Sequence, residues 1–485
     1  MRFGVNHTPS NGWFHSWLDF SASDTARDLE AIAGLGADHV RVFPLWPVVQ
    51  PNRTLIRPAA LDDVATVVDI AASFGLDVTV DALQGHLSSF DFLPSWLDSW
   101  HRRNMFTDPD VVASTAAYVQ ALAGAVAGRP NLLGVTVGNE VNQFAHAPHP
   151  APFPTTPEQG HAWAAAMVAA ARAGLGTSES GGLAPSAASE PSAASGSSTA
   201  SVASGSSGSS GLEARPASGV RPAPATGERP APFVTLAQYD AAWYDDAQPF
   251  GPEHAAEHGD ATVTHSWVFN GAARVHGALG PGSVRHGEYL LQLAAAWNTS
   301  ADRPNWLQEV GAPTNVVDVA DAPTFTEQTI RHALDVQGLF GITWWCSHDV
   351  SRSLADFPEL EYDLGLLTND GRVKPTGERF REMAAAFGDG AYRAPTPPTT
   401  ALVLDDVAPD GTPLGGTRAD SAPGGRFAAA WLAIAEQDGR GPQVVLRSRV
   451  RDAVLLRDRG ITTCVDVPGD TASATVSVAH PATMP

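Results

Sequence analysis

The chain has 485 residues, with 30 basic and 52 acidic side chains and a formal net charge of −22. Nucleic acids and anionic membrane surfaces bind basic footprints, so we expect neither of them as a partner. Two cysteines, Cys346 and Cys464, cannot build a disulfide framework, and no apolar run approaches the length of a membrane span. Because neither a basic nor an apolar leader follows Met1, we expect a cytoplasmic protein.

Short β-rich runs alternate with amphipathic helical patterns through the first part of the chain. The predicted strands are 3–6, 39–43, 77–81, 133–138, 234–238, 262–267, 305–308 and 342–346. The predicted helices are 23–35, 61–74, 110–127, 157–173, 287–297 and 325–338, and the less regular segment 241–258 has room for a short helix. This alternation predicts an α/β fold, a (β/α)8 TIM barrel over 1–390, with an open doubly wound sheet as the competing architecture.

Two segments depart from this alternation. Residues 176–232 are almost all Ser, Ala, Gly and Pro, which predicts a disordered, low-complexity insertion within the barrel. It would fall at the end of the barrel away from the strand carboxyl ends, and we favour an inert insertion over a recruitment role. After a Pro-rich connector, residues 398–485 predict a small C-terminal α/β domain, with strands 401–404, 443–447 and 462–467 and helices 426–436 and 451–458.

Two glutamates each follow a short apolar run. Residues 132–137 lead into Gly138, Asn139 and Glu140, and 305–308 end at Glu309. In parallel α/β barrels the catalytic residues lie at the carboxyl ends of the buried strands. Two carboxylates facing one ligand suffice to cleave a glycosidic bond, with retention if they lie about 5 Å apart and inversion at about 6.5–9.5 Å. Either glutamate alone is equally compatible with a salt-bridged surface side chain.

The motifs around these glutamates resemble glycoside hydrolase family 5, within the cellulase-like clan A. The resemblance rests on Asn139-Glu140 after strand four and on Glu309 after strand seven. It covers roughly 1–387 without the insertion. Further matches are His39-Val40-Arg41-Val42-Phe43-Pro44 on strand two, Thr264-His265-Ser266-Trp267 on strand six and Trp344-Trp345-Cys346 on strand eight.

The resemblance implies a role for each catalytic and neighbouring residue. Glu140 would be the acid/base and Glu309 the nucleophile of a retaining hydrolase. Asn139 would contact the sugar hydroxyl beside the reacting carbon. Arg41 matches the strand-two arginine that keeps the nucleophile ionised, as a nearby cation does for any carboxylate. His265 matches the family's strand-six histidine, although a merely buried histidine is the alternative.

The aromatic residues agree with the family less uniformly. Trp345 matches the strand-eight aromatic that stacks under the sugar in subsite −1, and Trp344 would then point to the helix layer. Trp267 stands where the family often has a tyrosine that hydrogen-bonds the nucleophile. Because an indole donates only through its one N–H, that hydrogen bond is left open.

Four segments in the first hundred residues resemble a bacterial subgroup of this family with β-mannosidase activity. They are FGVNHTP (3–9), GWFHSW (12–17), LWPVVQPNRT (45–54) and QGHLSSFDFLP (84–94). The resemblance implies release, inside the cell, of the mannose linked β-1,4 to N-acetylglucosamine in N-glycan core fragments.

The loops after strands one to three are rich in Trp, Phe, His and Asn, which suits walls that close a cleft into a pocket. A pocket takes one terminal sugar, whereas an open groove takes a polymer. Candidate wall residues are His86, Asp91, Trp96 and Asn142, each of which is also compatible with plain packing. Asp349, in the segment after strand eight, is a candidate for a polar contact to sugar hydroxyls.

Three functions remain open from the sequence. We favour an exo-β-mannosidase acting on small oligosaccharides. The alternatives are an endo-β-1,4-mannanase or β-glucanase, and a barrel that binds carbohydrate without turning it over. No metal or other cofactor is expected, since the chain has neither metal-ligand Cys/His spacing nor a Gly-rich nucleotide loop. The oligomeric state and the role of the C-terminal unit are not determined.

Overall fold

Eight parallel strands form the main sheet in a computed structural model, which describes residues 1–88, 90–177, 231–388, 390–468 and the strand Val476–Ser477. Hydrogen-bonded neighbours follow the order β5-β4-β3-β2-β1-β8-β7-β6. The end strands meet at Asp260, whose backbone N–H donates to the Val234 carbonyl at 2.7 Å. The strands are β1 (Arg2–Asn6), β2 (His39–Val42), β3 (Asp77–Asp81), β4 (Leu132–Asn139), β5 (Phe233–Ala237), β6 (Thr262–Ser266), β7 (Asn305–Val310) and β8 (Leu339–Trp344).

One principal helix follows each strand and covers the outside of the sheet. Proline opens most of them, because its fixed φ and missing N–H suit a first helical position. Ser21, Asp108 and Thr156 cap helices by accepting backbone N–H groups of the first turn. The helices are α1 (Ala22–Gly34), α2 (Pro58–Ser73), α3 (Pro109–Val126), α4 (Pro157–Leu175), α5 (Pro252–Glu257), α6 (His286–Trp297), α7 (Ala322–Ala333) and α8 (Pro375–Phe387).

The segments that follow the strands hold short elements at the carboxyl end of the barrel. An aromatic cluster joins three of these segments, with the ring of Phe357 4.7 Å from that of Trp13 and 4.8 Å from that of Phe90. The short elements are the hairpin His86–Leu87 with Phe90–Asp91 and the turns Trp13–Leu18, Trp46–Val49, Val141–Ala145, Ala241–Tyr244, Val268–Asn270, Ala272–His276, Pro281–Val284 and Glu359–Asp363.

A second sheet lies beyond α8. Its strands β9 (Thr400–Leu404), β10 (Gln443–Leu446), β11 (Thr463–Val465) and β12 (Val476–Ser477) follow the order β10-β9-β11-β12. Its helices are α9 (Arg426–Asp438) and α10 (Ala453–Asp458), with single turns at Thr417–Ser421 and Arg447–Arg449. The sheet and α9 pack on α6 of the barrel through one apolar cluster, which includes Tyr289, Leu293, Leu402, Phe427 and Trp431.

The fold class is confirmed: the chain is a TIM barrel with a small α/β unit after it. Strand eight begins at Leu339 rather than 342, because a half-buried pair, Leu339 and Phe340, already lies in the ladder beside β7. Segment 241–258 holds two short helices instead of one. The predicted insertion lies, apart from its ends, outside the described residues, and the domain boundary near 390 stays a prediction.

None of the described helices combines the length and the apolar character needed to cross a membrane.

Candidate active site

Glu140 and Glu309 both stand at the carboxyl end of the barrel. Glu309 lies in β7, and Glu140 comes directly after β4 and begins the turn Val141–Ala145. The φ angle of Glu140 is 51°, a left-handed conformation that few residues other than glycine adopt. Such outliers concentrate at functional sites, where the surrounding structure holds them.

Buried donors surround the Glu140 carboxylate. Its Oε1 lies 2.7 Å from Nδ1 of His265, and its Oε2 accepts from the Gln143 side chain at 2.7 Å. Burial raises the pKa of Glu140 to about 7, although His86, Arg41 and the Gln143 hydrogen bond act against that rise. A carboxyl group with this pKa can give up and regain a proton near neutral pH.

Glu309 receives stronger charge compensation. Nη1 of Arg41 donates to its Oε1 at 2.6 Å, and the indole N–H of Trp267 donates to its Oε2 at 3.2 Å. Burial raises the pKa of Glu309, while His265 and Arg41 oppose the rise. The hydrogen bond that the sequence left open at position 267 is therefore made by an indole.

Arg41 is fully buried in β2 and contacts side chains of three other strands, β3, β4 and β7. Besides Glu309, its guanidinium forms an ion pair with Asp81 at the end of β3 and donates to Oδ1 of Asn139 at 2.6 Å. A planar guanidinium suits such divergent acceptors, because its donors have a fixed geometry. The network fixes both the nucleophile candidate and the amide beside Glu140.

The two glutamates line one cavity of about 230 Å³. The nearest ligand atoms of Glu140, His265 and Glu309 all lie within 4.8 Å of one another, so the carboxylates converge across a single space. Predicted residues His86, Asn139, Trp267 and Trp345 line this cavity as well.

Other predicted binding residues lie one layer away from the cavity. Asp91 hydrogen-bonds His86 at 2.9 Å and His149 at 3.0 Å. Asn142 accepts from the backbone N–H of Tyr239 at 2.8 Å, so it positions a residue that does line the cavity.

Two further predicted residues are engaged elsewhere. Asp349 pairs with Lys374 at 2.7 Å and accepts from the backbone N–H of Gly365. Trp96 donates to the carbonyl of Gln50 at 3.0 Å. The structure does not bring either side chain to the cavity, because those partners hold them in the loop scaffold.

Sequence reasoning missed several residues of the site. Asp81 carried the same signal as Glu140, a carboxylate at a strand end, and Gln143 lies one helical turn after Glu140. Tyr239 and Glu361 also line the cavity, yet neither belongs to a motif. Glu361 reaches it from the turn Glu359–Asp363, well beyond β8, where no local pattern marks it.

Two groups in the described chain have the spacing of metal ligands. In the cavity, Arg41, Gln143 and Trp267 already donate to the carboxylates of Glu140 and Glu309, so protein donors stand where a cation would bind.

The second group, His161, Glu253 and His254, lies at α4 and α5. Both ring nitrogens of His254 are engaged, one by the N–H of Gly251 at 3.0 Å and the other by the carbonyl of Pro157 at 2.9 Å. That histidine therefore has no free ligand atom to offer.

Solved structures match the chain over nearly its whole length. A glutamate-to-alanine variant of the GH5_18 enzyme of Streptomyces cattleya, in complex with Manβ1-4GlcNAc, is 47% identical. The match covers 96% of this chain and 98% of that one, with a TM-score of 0.82. The chain belongs to glycoside hydrolase family 5, subfamily 18. It is therefore a glycoside hydrolase, as the motifs had implied.

Another GH5_18 structure, from Bifidobacterium longum subsp. longum with Manβ1-4GlcNAc, is 37% identical over 99% of both chains, with a TM-score of 0.80. Exo-β-1,4-mannosidase Op5Man5 of Opitutaceae bacterium strain TAV5 is 21% identical over 92% of this chain and 69% of that one, with a TM-score of 0.67, and shows the fold alone. No protein-family model and no curated protein matches the chain.

Proposed function

We propose that this GH5_18 chain is a retaining exo-β-mannosidase that releases terminal mannose from short oligosaccharides such as Manβ1-4GlcNAc. Glu140 is the acid/base and Glu309 is the nucleophile. The observation that carries the proposal is the convergence of their carboxylate oxygens within 4.8 Å across one cavity. This close approach is compatible with the carboxyl separation of about 5–5.5 Å in retaining enzymes and supports a retaining mechanism over an inverting one.

The two carboxylates differ in environment, as the two roles demand. Glu140 has a pKa of about 7 and a neutral donor, Gln143, on its second oxygen, so it can carry the proton that the leaving group needs. Glu309 has a guanidinium on one oxygen, which favours its ionised form. Arg41 therefore favours an anionic nucleophile beside a carboxyl group that holds its proton near neutral pH.

In the first step, Glu309 attacks the anomeric carbon as the bond to the aglycone oxygen breaks, and Glu140 gives its proton to that oxygen. In the second step, Glu140 takes a proton from water, the water oxygen attacks the anomeric carbon, and the carboxylate of Glu309 leaves. Two displacements at one carbon retain the configuration.

The proposed substrate rests on the relatives and on the shape of the site. Two GH5_18 relatives were solved with Manβ1-4GlcNAc. The cavity is small and walled by His86, Tyr239, Trp345 and Glu361, which suits one terminal sugar better than a polymer chain. The hydroxyl next to the reacting carbon would lie against Asn139, and the sugar face against Trp345.

Substrate choice separates this proposal from its alternatives. We expect hydrolysis of Manβ1-4GlcNAc and of an aryl β-mannoside, with little activity on the aryl β-glucoside and β-galactoside. Cleavage of mannan at internal bonds would favour an endo-mannanase. Tight sugar binding without any turnover would favour a non-catalytic barrel. The anomer formed first, followed by NMR, tests retention.

Azide distinguishes the two glutamates. In Glu140→Ala, azide can attack the mannosyl-enzyme from the face of the departed aglycone, so we expect a β-mannosyl azide. In Glu309→Ala, azide replaces the missing nucleophile and gives the α-mannosyl azide. An α product from the Glu140 variant, or a β product from the Glu309 variant, would reverse the assignment.

A further inference from the structure

One buried acid in the cavity has no part in the proposed mechanism. Glu361 belongs to the turn Glu359–Asp363, is 9% exposed, and lines the same space as Glu140 and Glu309. Its Oε2 accepts from the hydroxyl of Ser88 at 2.8 Å. An ionised carboxylate has about four acceptor positions, so most of its capacity remains available to a ligand in the cavity.

The surroundings of Glu361 disfavour its ionised form. Burial raises the pKa of Glu361 to about 7, against the Ser88 hydrogen bond and His86, and the nearby charge of Glu309 raises it further. Burying a carboxylate whose partner is a neutral hydroxyl lowers the stability of the fold. Acids with such a perturbed pKa that line a cavity are typical of ligand-binding sites.

The segment that carries Glu361 is braced from two directions. The ring of Phe357 packs against Trp13 and Phe90 in the loops after β1 and β3. On the other side, Lys374 donates to Asp349 and to the carbonyl of Asp363, each at 2.7 Å. These contacts hold the backbone on both sides of Glu361 in place before a ligand binds, as the positioning of a specificity residue requires.

We propose that Glu361 binds a hydroxyl of the terminal sugar, away from the anomeric carbon, through its free carboxylate oxygen. This rests on the proposed function for the identity of the sugar. A sugar extended at that hydroxyl has no proton to donate and would leave the second oxygen of the buried carboxylate without a donor, so the residue selects an unsubstituted sugar end. Glu361 thus helps to make the site exo-acting.

The test is a cycle of Glu361→Gln with monodeoxy aryl β-mannosides that lack the 3-, 4- or 6-hydroxyl. On the parent substrate we expect kcat/KM to fall about 10- to 100-fold, as for a lost charge-assisted hydrogen bond. For one deoxy analogue, the one that lacks the hydroxyl bound by Glu361, the kcat/KM of the wild type should fall by a similar factor. On that analogue the variant and the wild type should have nearly equal kcat/KM values. Glu359→Gln, on the exposed side of the same turn, is the matched control and leaves every ratio unchanged.

A uniform penalty on all analogues would show a structural role and overturn the proposal, as would wild-type kinetics of the variant. If Glu361→Gln melts well below Glu359→Gln, the same series is run with Ser88→Ala. That variant removes only the hydroxyl that orients Glu361, and its smaller penalty must vanish on the same analogue. If the wild type cleaves a different aryl β-glycoside instead of the β-mannoside, the mannosidase proposal is refuted but the Glu361 proposal is not. Deoxy forms of that other glycoside then test Glu361 in the same way.

Discussion

At the scale of single residues, the two glutamates differ because of their partners rather than their burial. Both are almost fully buried, yet Glu309 meets a guanidinium and an indole N–H, whereas Glu140 meets Gln143 and His265. A strand-end carboxylate could be recognised from the sequence. Arg41 and Trp267 could be placed beside the nucleophile only through the family resemblance, because they come from distant parts of the chain and closure of the barrel brings them in.

The pKa of Glu140 gives a prediction about pH. Since the acid must be protonated, kcat/KM should fall as the pH rises through about 7. Gln143→Met removes a hydrogen bond that favours the ionised carboxylate, so the pKa rises and this limb should move to higher pH by up to about one unit. The measurement is the pH profile of kcat/KM on an aryl β-mannoside.

The control for that shift is Gln120→Met, on the exposed side of α3, which should keep the wild-type profile. A limb that stays in place in the Gln143 variant would mean that the group titrating near neutral pH is not Glu140.

The indole at position 267 yields a second prediction. Trp267→Phe keeps an aromatic wall but removes the N–H that donates to Glu309, so we expect kcat/KM to fall about tenfold. Steady-state kinetics measure this loss, with Trp100→Phe as the control because Trp100 is fully exposed. Unchanged kinetics in the Trp267 variant would show that the indole only packs.

At the scale of elements, the sequence predicted most of what places the site. Alternating strands and helices predicted the barrel, strand ends predicted the positions of Glu140 and Glu309, and the family resemblance predicted the place of Arg41. The wall that carries Glu361 was not predictable, because it depends on Phe357 meeting Trp13 and Phe90 from distant parts of the chain. The prediction of a sugar contact for Asp349 missed its partner, Lys374, because that residue is 25 residues away in the sequence and no local pattern shows the pairing.

The end of α6 offers a test at this scale. Arg449, from the second sheet's side, donates to the last carbonyls of the helix at Ala296, Trp297 and Asn298. Arg449→Met should cost about 1.5–3 kcal/mol and lower the Tm by several degrees, because those carbonyls lose a cationic partner. Calorimetry measures the change, and the exposed Arg451→Met should leave the Tm within about a degree. Equal Tm values for both variants would show that the contacts of Arg449 do not stabilise the protein.

At the scale of the whole molecule, the barrel and the second sheet share a core. Leu293 of α6 is 1% exposed and packs in one cluster with Leu402 and Trp431. We propose that both parts unfold together, so Leu293→Ala should shift a single calorimetric transition by about 2–5 kcal/mol. Leu414→Ala, at an exposed position, is the control. Two separate transitions, only one of them shifted, would show independent units.

Trapping the intermediate shows whether Glu309 forms a covalent bond to the sugar while Glu140 moves the proton. A 2-deoxy-2-fluoro-β-mannosyl fluoride slows the second step more than the first, so the sugar should accumulate on the enzyme. Peptide mass spectrometry should then find one fluorosugar, attached to Glu309. A label on Glu140 or on any other residue would show that Glu309 is not the nucleophile.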